Sequence, residues 1–325
     1  MTEHAREAGL VSTIIPVYNR PILIVEAVNS VLAQTYNNTE VIVVDDGSDD
    51  DTPSVLLSLQ TEHPQVTVLT QQNQGPGVAR ELGRQHAKGE FIQFLDSDDL
   101  LLPEKFALQV KALNESPKAV IAYGKTEMTD LHQSLSGVAM RKTGEKISSM
   151  FPEFLKSRWW GTSTPLYRAC ELDKAGAWLS LINEEDWEYD CRVASFGGQL
   201  AYVDSFVSHA RRHDEHLSAD GARDPLKLQH RCLAQQKIYQ HAKNYMQLEK
   251  RLNDIERDDW AFFSKSVFLL ARQCASVGLT VEAKQMFALS IEANAGKSSM
   301  HRVFSLLAVV LGWQRAALLI KKVGR

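Results

Sequence analysis

Short, wholly apolar runs alternate along this chain with longer stretches in which apolar residues recur every three or four positions. Val11-Ser12-Thr13-Ile14-Ile15-Pro16-Val17 reads as a buried strand that stops at its proline. Asn19 and Pro21 then open a helix with Ile22, Val25, Val28 and Leu32 on one face. Val41 to Val44 is β-branched and apolar throughout, as a strand covered on both faces should be. A helix through Val55, Leu56 and Leu59 and a third strand at Val66 to Leu69 follow. The turn Asn73-Gln74-Gly75-Pro76-Gly77 leads into a helix through Val78, Leu82 and His86. Phe91 to Leu95 makes a fourth strand and Val120 to Tyr123 a fifth. This alternation predicts an α/β fold with a mostly parallel, doubly wound sheet. Ligands in such sheets sit at the carboxyl ends of the strands, where Tyr18, Asp46 and Asp98 fall. Beyond residue 222 only helices are expected, over Lys227 to Glu256, Asp259 to Val277, Val281 to Ala293 and Met300 to Val323.

The fourth strand runs directly into Asp96-Ser97-Asp98-Asp99. Three carboxylates side by side repel unless a cation or a positive partner screens them. Oxygen ligands suit Mg2+ or Mn2+, and one or two carboxylates with an open shell are the arrangement that takes up substrate phosphates. The competing account makes these acids a cap for the helix that begins near Pro103.

Composition narrows the field. A chain of 325 residues, 44% hydrophobic, has room for a full α/β domain and a smaller addition, and a net charge of -4 gives no reason to expect nucleic acid as a partner. Cys170, Cys191, Cys232 and Cys274 form no C-x-x-C pair, so zinc and redox motifs are absent and a reduced, cytoplasmic setting is expected. Met1 to Gly9 has no apolar core of a signal peptide, and no apolar run is long enough to span a bilayer. The first strand-helix turn, Pro16-Val17-Tyr18-Asn19-Arg20, contains no glycine and cannot form the G-x-G-x-x-G dinucleotide turn; a P-loop motif is also missing.

Five segments in order carry a family resemblance. Ile15-Pro16-Val17-Tyr18-Asn19, Val44-Asp45-Asp46-Gly47-Ser48, Asn73-Gln74-Gly75 with Ala79-Arg80, Gly89-Glu90-Phe91-Ile92 and Leu95-Asp96-Ser97-Asp98-Asp99 together resemble the inverting family 2 glycosyltransferases of GT-A fold. The resemblance runs from about residue 10 to about residue 218. It implies a GT-A domain over 1–222, with a nucleotide-sugar half at 10–125 and an acceptor half at 126–222, followed by a helical region at 223–325. It also implies a nucleoside-diphosphate sugar donor, a UDP-sugar first among them, and a glycan or lipid-linked acceptor. By the same resemblance Pro16 and Tyr18 lie against the base, Asp46 accepts a hydrogen bond from it, and Arg80, Ser97 and Asp99 stand near the donor. Asp98 is the metal ligand, with Asp96 towards the ribose or the metal. A packed aromatic at Tyr18 and a turn former at Asp46 are the plainer readings.

In the acceptor half, Trp159-Trp160-Gly161-Thr162 and Leu166-Tyr167-Arg168 look like the segment that walls the sugar and acceptor sites; adjacent tryptophans cannot both face one core from a regular helix, so one is expected to line a surface or both to fill an irregular core. Glu184-Glu185-Asp186 matches the family's E-D motif, which makes Asp186 the base that deprotonates the acceptor and Glu185 its support, with Glu184 a solvated neighbour. Acids in a first helical turn are also favoured by the helix dipole alone. Arg211 and His213 match a family position near the diphosphate, with His213 a further metal ligand, although the tyrosine of that pattern is missing. Residues 300–325, apolar with a basic end, suit either a membrane surface or packing onto neighbouring helices. The rival to an enzyme is a nucleotide-sugar-binding or assembly subunit without activity.

Overall fold

The computed structural model describes residues 6–131, 135–212, 224–248, 251 and 254–323, the side chains of 320–323 excepted. In chain order the elements are β1 (Glu7–Val17), α1 (Pro21–Leu32), β2 (Thr39–Asp45), α2 (Thr52–Glu62), β3 (Val66–Thr70), α3 (Pro76–His86) and β4 (Gly89–Phe94). Then come β5 (Leu100–Leu101), α4 (Lys105–Glu115), β6 (Ala119–Asp130), α5 (Glu153–Lys156), β7 (Leu166–Arg168), α6 (Ala169–Ala175), α7 (Glu185–Ala194) and β8 (Gln199–Arg212). Five helices close the chain: α8 (Pro225–Met246), α9 (Arg257–Ser276), α10 (Thr280–Ala293), α11 (Ser299–Leu311) and α12 (Trp313–Val323).

These elements form two compact units. One comprises residues 1–150, 159–180 and 197–214; the other comprises 151–158, 181–196 and 215–325. The first is built on an eight-stranded sheet in the order β3-β2-β1-β4-β7-β6-β8-β5. Its first half is parallel, and β7 turns it antiparallel before β6 and β8 pair in parallel again. Ile15, Val28, Val43, Phe91, Leu95 and Phe106 belong to one buried cluster, which is why β1, β2 and β4 read as continuous apolar runs. Pairing of Pro16 with Val44 and of Val17 with Asp45 ends β1 and β2 at the same level. The residues after them therefore share one rim of the sheet.

Three points sharpen the expectations. The basic segment from His209 to Arg212 belongs to strand β8, because Glu127, Met128, Thr129 and Asp130 of β6 pair with it. Trp159 and Trp160 are both buried at 1% exposure, their rings 4.7 Å apart and each against Tyr123, so neither lines a surface. The last predicted helix is two, since Gly312 adopts φ +77°, a left-handed value that ends α11 and that side chains with a Cβ resist.

The second unit is helical among its described residues. Here α8 is clasped to α7, α10 packs along α9, and Phe304 of α11 sits with Phe268, Phe287 and Trp313.

Candidate functional site

In the sheet unit, Leu95 ends its strand buried and the next four residues form a turn closed by Asp99 N donating to Asp96 O at 3.0 Å. That turn delivers each of its three acids to different partners. Asp96 pairs with Arg80 at 2.7 Å and Asp98 with Arg20 at 2.7 Å. Asp99 accepts from Ser163 Oγ at 2.9 Å and from Arg211 N at 3.0 Å. Burial, and after it the charges of Asp98 and Asp96, push the Asp99 carboxyl well above its ordinary range. Ser97 Oγ accepts from Arg20 at 3.4 Å. Arg211 is buried; its guanidinium donates to Asp98 O and pairs with Glu26. Its Nη2 is buried without a hydrogen-bond partner among the described residues.

The residues that close β1 and β2 are fastened to each other. Asn19 N donates to Ser48 Oγ at 2.9 Å, and the Asn19 and Asp49 groups exchange hydrogen bonds of 2.7 and 3.0 Å. Asn19 itself has φ +52°, which an asparagine tolerates better than most residues. Tyr18 emerges from that turn 45% exposed, a ring face held out beside the sheet rim, and Pro16 lies inside the strand. Asp46 is buried, and both its oxygens brace the 71–75 turn: Oδ1 accepts from Gln71 Nε2 at 2.7 Å and Gln74 N at 2.9 Å, Oδ2 from Gly75 N at 2.8 Å. Gly47 is required beside it, with φ +79° and a Cβ that would lie 2.9 Å from Asn73 N.

In the helical unit, α7 begins after Glu184, which takes a left-handed φ of +58°. Glu184 is not solvated as expected; Arg231 binds it at 2.7 Å and Gln235 at 2.8 Å. Glu185 is buried. Asp186 keeps a quarter of its side chain accessible, at 26%, with Oδ2 on Arg158 at 2.7 Å and Oδ1 accepting from Trp187 N at 2.7 Å. Arg158 is itself anchored by the buried Asp190, Nε to Oδ2 at 2.8 Å. Glu188 binds Arg192 at 2.7 Å and His241 at 2.8 Å.

Sequence reasoning did not find Arg20, Glu26, Arg158 or Ser163. Each meets its partner across 64 or more positions, or in the case of Arg158 across 28, and no local spacing marks it. His213, expected as a metal ligand, lies outside the described residues. Among the described residues no group of three or more His, Cys, Asp or Glu converges as a metal cage. What is present suits a hard cation of open shell at the all-oxygen acidic turn, and the buried Nη2 of Arg211, without a hydrogen-bond partner among the described residues, suits the anionic group that such a cation accompanies.

A mixed α/β sheet with an acidic turn at the end of a central strand defines a class of nucleotide-binding folds. Comparison with known proteins makes the class specific. Residues 12–169 match the family described as glycosyl transferase family 2. A glycosyltransferase of Rickettsia felis is 35% identical over 147 residues, 45% of this chain and 24% of that protein. A GalNAc(5)-diNAcBac-PP-undecaprenol β-1,3-glucosyltransferase of Campylobacter jejuni is 30% identical over 190 residues, 54% of this chain and 60% of that one. The chain thus spans less than two thirds of these relatives. Among solved structures, S. aureus TarS 1-349 with UDP-GlcNAc superposes with a TM-score of 0.63 at 18% identity, over 94% of this chain and 89% of that one. The mannosyltransferase PcManGT from Pyrobaculum calidifontis, with GDP-Man and Mn2+, gives 0.55 at 19% identity, over 95% and 86%. Residues 12–169 thus place this part of the chain in glycosyl transferase family 2, and the chain has the GT-A fold.

Proposed function

We propose that the chain is an inverting glycosyltransferase that moves a sugar from a nucleoside-diphosphate donor, a UDP-sugar by preference, to a hydroxyl of a glycan or lipid-linked acceptor in bacterial polysaccharide or glycolipid synthesis. The observation that carries this reading is the Asp96–Asp99 turn, whose acids are separately oriented by Arg80, Arg20 and Ser163 instead of being left to solvent. The bound partners of TarS and PcManGT, and the lipid-linked substrate in the name of the Campylobacter relative, support the donor and acceptor classes.

In this reading Pro16 and Tyr18 seat the base, Asp46 fixes the turn beside it, and Arg80, Ser97 and Asp99 orient the Asp96–Asp98 pair. Asp98, with Asp96, would hold Mg2+ or Mn2+, which neutralises the diphosphate as it leaves. Arg211 holds the turn's backbone at Asp98 O, and its spare buried N–H adds positive charge there. Asp186 takes the proton of the acceptor hydroxyl. Its Oδ2 is fixed by Arg158 and its Oδ1 by a backbone N–H, so the carboxylate is already oriented when the acceptor arrives. Glu185, buried next to it in the first turn of α7, supports that geometry.

The decisive experiment is Asp186→Asn. Loss of a positioned general base is worth about 10²- to 10⁴-fold in rate. Turnover should fall by that factor while the donor's KM and metal requirement stay close to wild type. Turnover within a factor of about two of wild type would remove Asp186 from the reaction.

A further inference from the structure

The outward side of α11 is apolar where a surface helix is ordinarily polar. Phe304, His301 and Ala308 face inward and are buried, with the Phe304 and His301 rings against Phe268 of α9 and Phe287 of α10. On the other side Val303 is 56% exposed, Leu306 67%, Val309 84% and Val310 70%. Leu318 and Leu319 of α12 add 46% and 43%. Both faces of α11 are thus hydrophobic, a pattern that belongs to helices buried on all sides or set into a membrane interface. A contiguous exposed patch of this kind marks an interaction surface.

Charge identifies the partner. From Ala293 to Arg325 the chain carries Lys297, Arg302, Arg315, Lys321, Lys322 and Arg325 and no Asp or Glu, whereas the preceding residues hold thirty Lys or Arg against all forty acids. An acidic protein thus carries a purely cationic sequence in the segment that holds this exposed apolar face. An uncharged protein surface would satisfy the apolar part alone; an anionic lipid leaflet satisfies both, taking the side chains among its acyl chains and the cations among its headgroups. Neither helix crosses the bilayer: α11 has 13 residues and α12 has 11, and no described helix is long and apolar enough.

We propose that α11 and α12 form an interfacial docking element for anionic membrane. It lies in the plane of the leaflet, held by Val303, Leu306, Val309 and Val310 and by the Lys and Arg of the same segment. The inference does not depend on Asp98 or Asp186, and it stands or falls apart from the transferase chemistry.

The full chain is mixed with vesicles of phosphatidylcholine alone or of phosphatidylcholine with phosphatidylglycerol, and the bound fraction is read by flotation. Binding should favour the anionic vesicles by about ten-fold or more and weaken in high salt. Leu306→Glu with Val310→Glu should abolish it, and Arg302→Gln with Arg315→Gln should lower it on anionic vesicles only. Circular dichroism and the UDP-dependent shift in melting temperature, unchanged in these variants, verify the fold; Val309→Glu, at the most exposed position, serves where the double variant fails that check. Three results overturn the proposal: equal binding to both vesicle types, glutamate variants that float like wild type, or a wild-type dimer that the same variants convert to monomer, which would assign the face to a second copy of the chain.

Discussion

Arginines decide how the acids of this protein behave. Asp96, Asp98 and Asp186 stand out in the sequence because three acids after a strand, or two at a helix start, are conspicuous wherever they occur. Arg80, Arg20 and Arg158 do not, since their meaning lies in contacts of 2.7 Å that only the fold creates. Arg158 is the most informative of the three. The deeply buried Asp190 fixes one end of its guanidinium and leaves the other for the more accessible Asp186. A planar fork can serve two carboxylates at once, which a lysine ammonium does with less geometric control. Arg158→Lys should therefore preserve the fold and the donor's KM but reduce kcat about ten-fold. Arg158→Gln, which also strips Asp190 of its counter-charge, should lower kcat further and cost about 3–5 kcal/mol of stability. Steady-state kinetics beside thermal melting separates the two effects. Equal kcat in wild type and the lysine variant, with both folded, would show that the fork does not orient Asp186.

Among elements, legibility followed length and pattern. β1, β2 and β4 are read correctly because burial on both faces keeps them largely apolar, with buried polar exceptions such as Ser12, Thr13 and Gln93. β5 and β7, of two and three residues, are too short for any periodicity to register, and they exist through pairing with β8 and with β4 and β6. The C-terminal helices appear where their apolar spacing places them, yet Gly312 divides the last one and α8 ends at Met246, ten residues before the expected Glu256. The sequence also shows Glu188 and Arg192 as an ordinary i,i+4 pair, whereas His241 of α8 joins them and makes the pair a clasp between helices. Burial pushes the Glu188 carboxyl up, but the His241 hydrogen bond and Arg192 outweigh it and hold it below its ordinary 4.5. The folded chain therefore releases that proton more readily than the unfolded one. The clasp contributes fully above the ordinary carboxyl range and is lost as pH falls through the depressed value. Glu188→Gln should cost about 1–3 kcal/mol at pH 7, and the gap to wild type should close as denaturant melts are repeated down to about pH 3. A gap of constant size across that range would mean that packing, not charge, holds α7 to α8.

At the scale of the molecule, sequence similarity and fold part company. The family match stops at residue 169, while the superposition on TarS covers 94% of the chain at 18% identity. The strand-end motifs are legible because few residue types suit a turn that crowds three carboxylates, whereas helical packing beyond it accepts many apolar sequences of equal volume. The same asymmetry separates two linkages. A nucleotide and a cation that bind only the folded chain stabilise it by mass action, by about 2.7 kcal/mol at a hundred-fold excess over Kd. With UDP and Mn2+ the melting temperature should rise, and with UDP plus a chelator most of that rise should vanish. Asp98→Ala should behave in Mn2+ as wild type does in chelator, since the remaining acids of the turn are engaged by Arg80, Ser163 and the backbone of Arg211. Leu306→Glu with Val310→Glu should keep the whole UDP and Mn2+ shift, because its substitutions lie on the exposed face of α11 and not in the acidic turn. A shift that survives Asp98→Ala intact would move the cation away from this turn, whatever the fold resembles.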